Sequence, residues 1–172
     1  MLVIINVFLV SKVKDCNRNS VFEKIFIKGL KERVSIPSRE SVLTFIIYFS
    51  NNECRNCIEE IYYWNKLFKD LKREEIFILG LIPQEEDIRA LKEKVEIAFP
   101  VGHDRNGKIK NRFNISITPF KIIMDRSGKI LYMSPSFSDK KLQESFYFEA
   151  LELLREARLK EILTSHYYSK RK

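Results

Sequence analysis

Two apolar runs of strand length, "VLTFIIYF" at residues 42–49 and "IFILGLI" at residues 76–82, constrain this chain more than any other feature. Neither alternates with polar residues, so each reads as a strand buried on both faces. Between them Cys57, Ile61, Trp64, Phe68 and Leu71 recur at steps of four, three, four and three. That spacing is one face of a helix, running from about Cys54 to Lys72. Asn51 or Asn52 stands where an N-cap is needed. Pro83 ends the second run, and "QEEDIRALKEKVEIA" follows as an amphipathic helix with Ile88, Leu91 and Val95 inward. Strand, helix, strand, helix with apolar strands predicts a parallel βαβ arrangement, with helices on both faces of the sheet.

The flanking segments add shorter elements. "VFEKIFIKGLKERVSIPSRE" carries β-prone stretches around Gly29 and Pro37, the pattern of an edge hairpin or an extended lead-in. "FPVGHDRNGKIKNRFNI" reads as a short strand, a turn at Asn106-Gly107 and a brief helix. "FKIIMD" and "KILYMS" flank "RSG", a hairpin with its glycine placed for a left-handed turn residue. One long helix, from Asp139 to about Thr164, closes the chain, with Leu142, Phe146, Ala150, Leu153 and Ala157 as its core stripe. No internal repeat is visible.

A chain of 172 residues, 45% hydrophobic, is enough for one domain with its own core. Five Gly and five Pro argue against a loop-rich β-sandwich. The formal charge of +8 could suit an anionic partner. The basic residues are interleaved with acidic ones, however, and only the tail "SKRK" is dense. No nucleic-acid motif is present, so the charge reads as a solvated basic surface.

The N-terminus stands apart. "LVIINVFLV", residues 2–10, is apolar apart from Asn6. As a helix it would reach roughly 14 Å, about half of a hydrocarbon core, and so does not span a bilayer alone. It has the length of a signal-peptide core, without a basic segment before it or a small-residue cleavage site after it. We read residues 1–20 as a trimmed membrane anchor and linker, residues 21–165 as one domain, and residues 166–172 as a basic tail. A buried strand is the other reading of residues 2–10. Lys14 and Asp15 precede Cys16, so it lacks the small apolar residues expected before a lipidated cysteine and reads as a bystander.

The chemistry lies in "SNNECRNCIEE", residues 50–60. Three cysteines allow at most one intramolecular pair, and Cys54 with Cys57 is the obvious one. A zinc site would need further ligands, and Cys16, His103 and His166 are far apart in sequence. Cysteines at i and i+3 in a first helical turn have Cα atoms about 5–6 Å apart, within disulfide range. The partial positive charge of a helix N-terminus favours a thiolate. Cys54, the more N-terminal, is then the attacking thiolate, and Cys57 on the inward face resolves the mixed disulfide. Arg55 adds a positive charge nearby and Glu53 opposes it. Glu60, one turn beyond Cys57, borders the apolar stripe, whereas Glu59 points away. Glu60 is either a proton acceptor for Cys57 or an ordinary solvated helix charge.

With these residues in this order, the chain resembles the thioredoxin-like proteins of the TlpA/ResA class, the membrane-tethered thiol–disulfide oxidoreductases of bacteria. The resemblance covers roughly residues 21–165. "FIIYFSNNECRNCIEE" is similar to the family's strand, loop and CxxC helix, and "FPVGHDRNGKIKNRFNISITPFKIIMDRSGKILY" to the segment around its Thr-Pro loop and hairpin. The resemblance implies an α/β thioredoxin-like fold, a central mixed β-sheet flanked by helices, with CxxC at the N-terminus of the first core helix. It implies a redox-active Cys54–Cys57 disulfide, Glu60 as proton acceptor, and a cis-proline loop at Thr118-Pro119 whose backbone pairs with an extended substrate chain. No cofactor is implied. The implied partners are client proteins with disulfides or thiols and a membrane or soluble thiol donor, on the extracytoplasmic face if the anchor is real and in the cytoplasm otherwise. Three departures stand out: Glu53 where the family usually has Trp, Arg55-Asn56 in place of a proline-containing pair, and Ile61-Tyr62 where a helix-kinking proline often stands. Two other functions fit a CxxC chain: a peroxiredoxin-like peroxidase, and a non-enzymatic module holding a soft metal such as Cu(I) or Zn(II).

Overall fold

The computed structural model of the chain describes residues 23–26, 33–50, 55–72, 75–135 and 140–169. The apolar segment 2–10, Cys16, the N-cap candidates Asn51 and Asn52, and Cys54 lie outside the described residues. Strands β1 (Glu23–Phe26) and β2 (Arg33–Ile36) form the expected hairpin, an antiparallel pair separate from the main sheet. The main sheet holds β3 (Leu43–Tyr48), β4 (Ile76–Ile82), β5 (Val101–His103), β6 (Phe120–Asp125) and β7 (Ile130–Pro135). Their spatial order is β5-β4-β3-β6-β7. β3 runs parallel to β4 and antiparallel to β6, so the sheet is mixed and β3 is its central strand.

This placement explains the two unbroken apolar runs. Every residue of β3 and β4 is buried, because helices cover one face and the segment around α3 the other. Alternation assigns the faces. Leu43, Phe45 and Ile47 pack with Ile61, Trp64 and Leu67 of α1 (Arg55–Asp70), with Ile88 and Leu91 of α2 (Glu85–Lys94), and with Phe146, Ala150 and Leu154 of α4 (Lys140–Ser169). Ile46 and Tyr48 face the other way, against Ile109 of α3 (Lys108–Arg112), Phe113 and Ile115. Each fully buried side chain of this size stabilises the fold by about 1.5–3 kcal/mol.

The predicted turns are present. Asn106 and Gly107 take φ of 65° and 62°, and Gly128 takes 84°, left-handed backbone that Gly and Asn adopt most readily. Two details of the helices differ from expectation. On α1 the core side chain after Trp64 is Leu67, buried, while Phe68 is 39% exposed. Both positions sit at an edge of the stripe, since 3.6 residues per turn fits neither a step of three nor of four. On α4 Leu154 joins Phe146 and Ala150 as buried, with Leu153 and Ala157 only partly covered, and the helix continues to Ser169, past Thr164. The side chain of Leu142 lies outside those described.

Candidate active site

The end of β3 sets the site's position. Tyr48, its last residue, is in register with Phe120, the first residue of antiparallel β6. Thr118-Pro119 therefore enters the sheet at the same edge from which the chain leaves β3 toward α1. The Thr118-Pro119 peptide bond is cis, as the resemblance implied, and so is Ile36-Pro37. Pro119 is buried, Thr118 is half-buried and Ile117 is 61% exposed at the rim.

Cys57 is the third residue of α1, fully buried in the core cluster beneath the helix, and is disulfide-bonded. The other cysteines, Cys16 and Cys54, are outside the described residues. The Arg55 guanidinium is taken by Glu59, one turn on, with Nε donating to Oε1 at 2.8 Å. That surface pair leaves the first turn with little net charge of its own, and Glu59 points outward as expected.

Glu60 was expected at the border of the apolar stripe. It lies wholly inside, 2% exposed. Two contacts of its carboxylate lie in the core. Lys121 Nζ donates to Oε1 at 3.0 Å, and the Trp64 indole N–H points at Oε2 from 3.5 Å. Lys121 is 1% exposed, projects from β6 in register with Ile47, and lies over the Phe146 ring at 4.6 Å from its centroid. Trp64, Phe45, Phe146 and Tyr132 form a continuous wall of aromatic contacts around the pair. Burial pushes the Lys121 ammonium below the ordinary lysine range, and the Glu60 charge works against that shift.

Lys121 escaped sequence reading although a signal for it existed. In "FKIIMD" the alternation puts Lys121 on the same side as Ile123, and a strand buried on both faces has no solvated side. A lysine there must find a buried anion. His103, considered as a ligand, instead has Nε2 2.8 Å from the Pro83 carbonyl oxygen. Among the described residues no three His, Cys, Asp or Glu side chains cluster to hold a metal ion. No described helix is long and apolar enough to cross a membrane.

A five-stranded mixed sheet with a parallel βαβ core, a cysteine in the first turn of the following helix and a cis-proline before the antiparallel strand defines a thioredoxin-like protein. Residues 29–133 match the AhpC/TSA family, and the chain belongs to it. It is similar to the thiol-disulfide oxidoreductase ResA of Bacillus thuringiensis subsp. konkukian, 28% identical over 80 residues, which are 45% of this chain and 46% of that protein. The ResA of Geobacillus kaustophilus is 26% identical over 106 residues, 60% of this chain and 59% of the relative. The chain thus spans about half the length of the curated relatives it matches. Its fold is shared with the exposed lipoprotein thioredoxin Etrx1 of Streptococcus pneumoniae, with a TM-score of 0.61 at 14% identity over 74% of this chain and 98% of that one.

Proposed function

We propose that this protein is a thiol–disulfide oxidoreductase that exchanges or reduces protein disulfides through Cys54 and Cys57. The observation that carries the reading is Cys57 itself: disulfide-bonded, in the first turn of α1, with a buried carboxylate three residues on. Of the possible partners Cys54 is the one at helical contact spacing. In the reductive direction the Cys54 thiolate attacks a client disulfide and expels one client thiolate. Glu60 takes the proton of the Cys57 thiol, and the Cys57 thiolate attacks the Cys54 sulfur. The client's second thiolate leaves, the client has gained two electrons, and Cys54–Cys57 is oxidised. A thiol donor returns those electrons. Thr118, at the rim beside Pro119, offers its backbone to an extended client segment. Residues 2–10 tether the domain to a membrane on its extracytoplasmic face. Reduction of a disulfide-bonded protein by a dithiol tests the chemistry: the protein accelerates it and Cys54→Ser abolishes the acceleration.

Membership of the AhpC/TSA family favours one second reading, peroxide reduction at Cys54. Peroxide consumption coupled to a thiol donor separates the two, since exchange alone consumes none.

A further inference from the structure

A lysine in the interior of a sheet is costly to keep charged, and this one stands beneath the helix that carries Cys57. We propose that Lys121 is a positioning residue for thiol–disulfide exchange: its ammonium, 3.0 Å from Glu60, holds that carboxylate ionised and fixed one helical turn from the resolving cysteine. The inference rests on the oxidoreductase reading and adds to it the group that makes Glu60 a base.

The physical reason is the surroundings. A carboxyl group buried among Phe45, Trp64 and Phe146 without a cation is driven to its neutral form, and a neutral carboxyl cannot accept the thiol proton. With Lys121 in place, the buried set before transfer is a carboxylate, an ammonium and a thiol. After transfer it is a carboxylic acid, an ammonium and a thiolate. Net buried charge is zero in both states, so the proton moves without placing an unbalanced charge in the core. The thiolate then attacks the Cys54 sulfur of the mixed disulfide, that S–S bond breaks, and the leaving thiolate carries the electron pair away. The Lys121 anchor is rigid because its backbone is paired to Ile47 in the sheet centre.

Other groups face the pair. Glu149 of α4 lies close enough to interact with Lys121, and its carboxyl is raised by burial and lowered by that ammonium. Tyr132 of β7 is pushed up to about 12, first by burial, and stays protonated in the working range.

The test uses the reduced full chain, with Cys16 replaced by Ser so that it cannot react with the probe, and an aromatic disulfide probe in stopped flow. Attack by one thiolate releases the first aromatic thiolate, and resolution by Cys57 releases the second. For Lys121→Met we expect the first phase unchanged and the second slowed roughly tenfold or more near pH 6, recovering as pH rises, because a buried carboxyl without its cation is a poorer proton acceptor at low pH. Lys121→Gln, which keeps a donor for Glu60 without the charge and so preserves the packing, shows the same slowing at low pH. Glu149→Gln, the control for the other facing carboxylate, leaves the second-phase limb within a few tenths of a pH unit of wild type. A second-phase profile in Lys121→Gln that superimposes on wild type overturns the inference, as does equal slowing of both phases at every pH. A wild type with no first phase overturns the oxidoreductase reading instead.

Discussion

Tyr48, the last residue of β3, donates its hydroxyl to Asp104 Oδ2 at 3.1 Å, joining positions 56 apart in sequence. Asp104 is 3% exposed, and its carboxylate also accepts the backbone N–H groups of Ile109 and Lys110, at 3.0 Å each, at the start of α3. One buried carboxylate therefore ties the site end of the central strand to the short helix on the opposite face from Cys57. Asp104→Ala strands a buried hydroxyl and two helix donors. We expect a loss of about 2–4 kcal/mol, read as a lower urea midpoint at unchanged m-value, with exchange chemistry retained in the folded fraction.

The Glu60–Lys121 pair predicts a different pattern. Removing one member of a buried pair leaves the other as an uncompensated charge or forces it to its neutral form, at a cost of about 3–5 kcal/mol. Lys121→Met should therefore destabilise more than the double variant Glu60→Gln/Lys121→Met, which removes both charges. Urea unfolding of the oxidised proteins measures both, and a double variant as unstable as the sum of its singles contradicts the pairing.

Alkaline pH should weaken the fold through its tyrosines. Burial, reinforced by Asp104, pushes the Tyr48 phenol above the ordinary tyrosine range. Burial pushes Tyr132 up to about 12, and the bond to Asp70 raises Tyr147. Unfolded phenols lose their protons near pH 10, so from about pH 10 to about pH 12 the folded state binds more protons than the unfolded one. The stability these groups contribute is intact below about pH 10 and lost as pH rises through that window. Lys121 acts oppositely just below it, since its lowered pKa makes the folded state shed a proton first. Tyr132→Phe should flatten the alkaline decline, and an unchanged slope of urea midpoint against pH would count against the burial of Tyr132.

What was legible in sequence was whatever leaves a local pattern. β3 and β4 announced themselves because burial on both faces removes polar residues, and the turn at Gly128 because its φ of 84° favours glycine. Thr118-Pro119 was legible by resemblance and is cis. Leu67 rather than Phe68 is buried because 3.6 residues per turn fits neither a step of three nor of four, and spacing alone does not choose between the two. Lys121 is the clearest case, since its partner is 61 positions away and only the assembled sheet and helix bring the two together.

Gly80 is a glycine inside a buried strand, and packing explains it. A Cβ there would stand 3.1 Å from Phe99, 3.2 Å from Phe49 and 3.2 Å from Val101. Gly80→Ala should cost about 1–3 kcal/mol by overpacking. Pairing it with Val101→Ala, which opens that space, should recover part of the loss in the same urea titration.

In the proposed reaction Cys54 attacks and Cys57 resolves, and trapping separates the two roles. With Cys16 replaced by Ser in every sample, Cys57→Ser, Cys54→Ser and the parent are each mixed with a disulfide-bonded client and analysed without reductant. A mixed disulfide at Cys54 has no second thiolate to release it once Cys57 is gone. Cys57→Ser should give a covalent, reductant-sensitive client adduct, and Cys54→Ser and the parent little. Equal trapping by the two variants, or none by either, would contradict this division of roles.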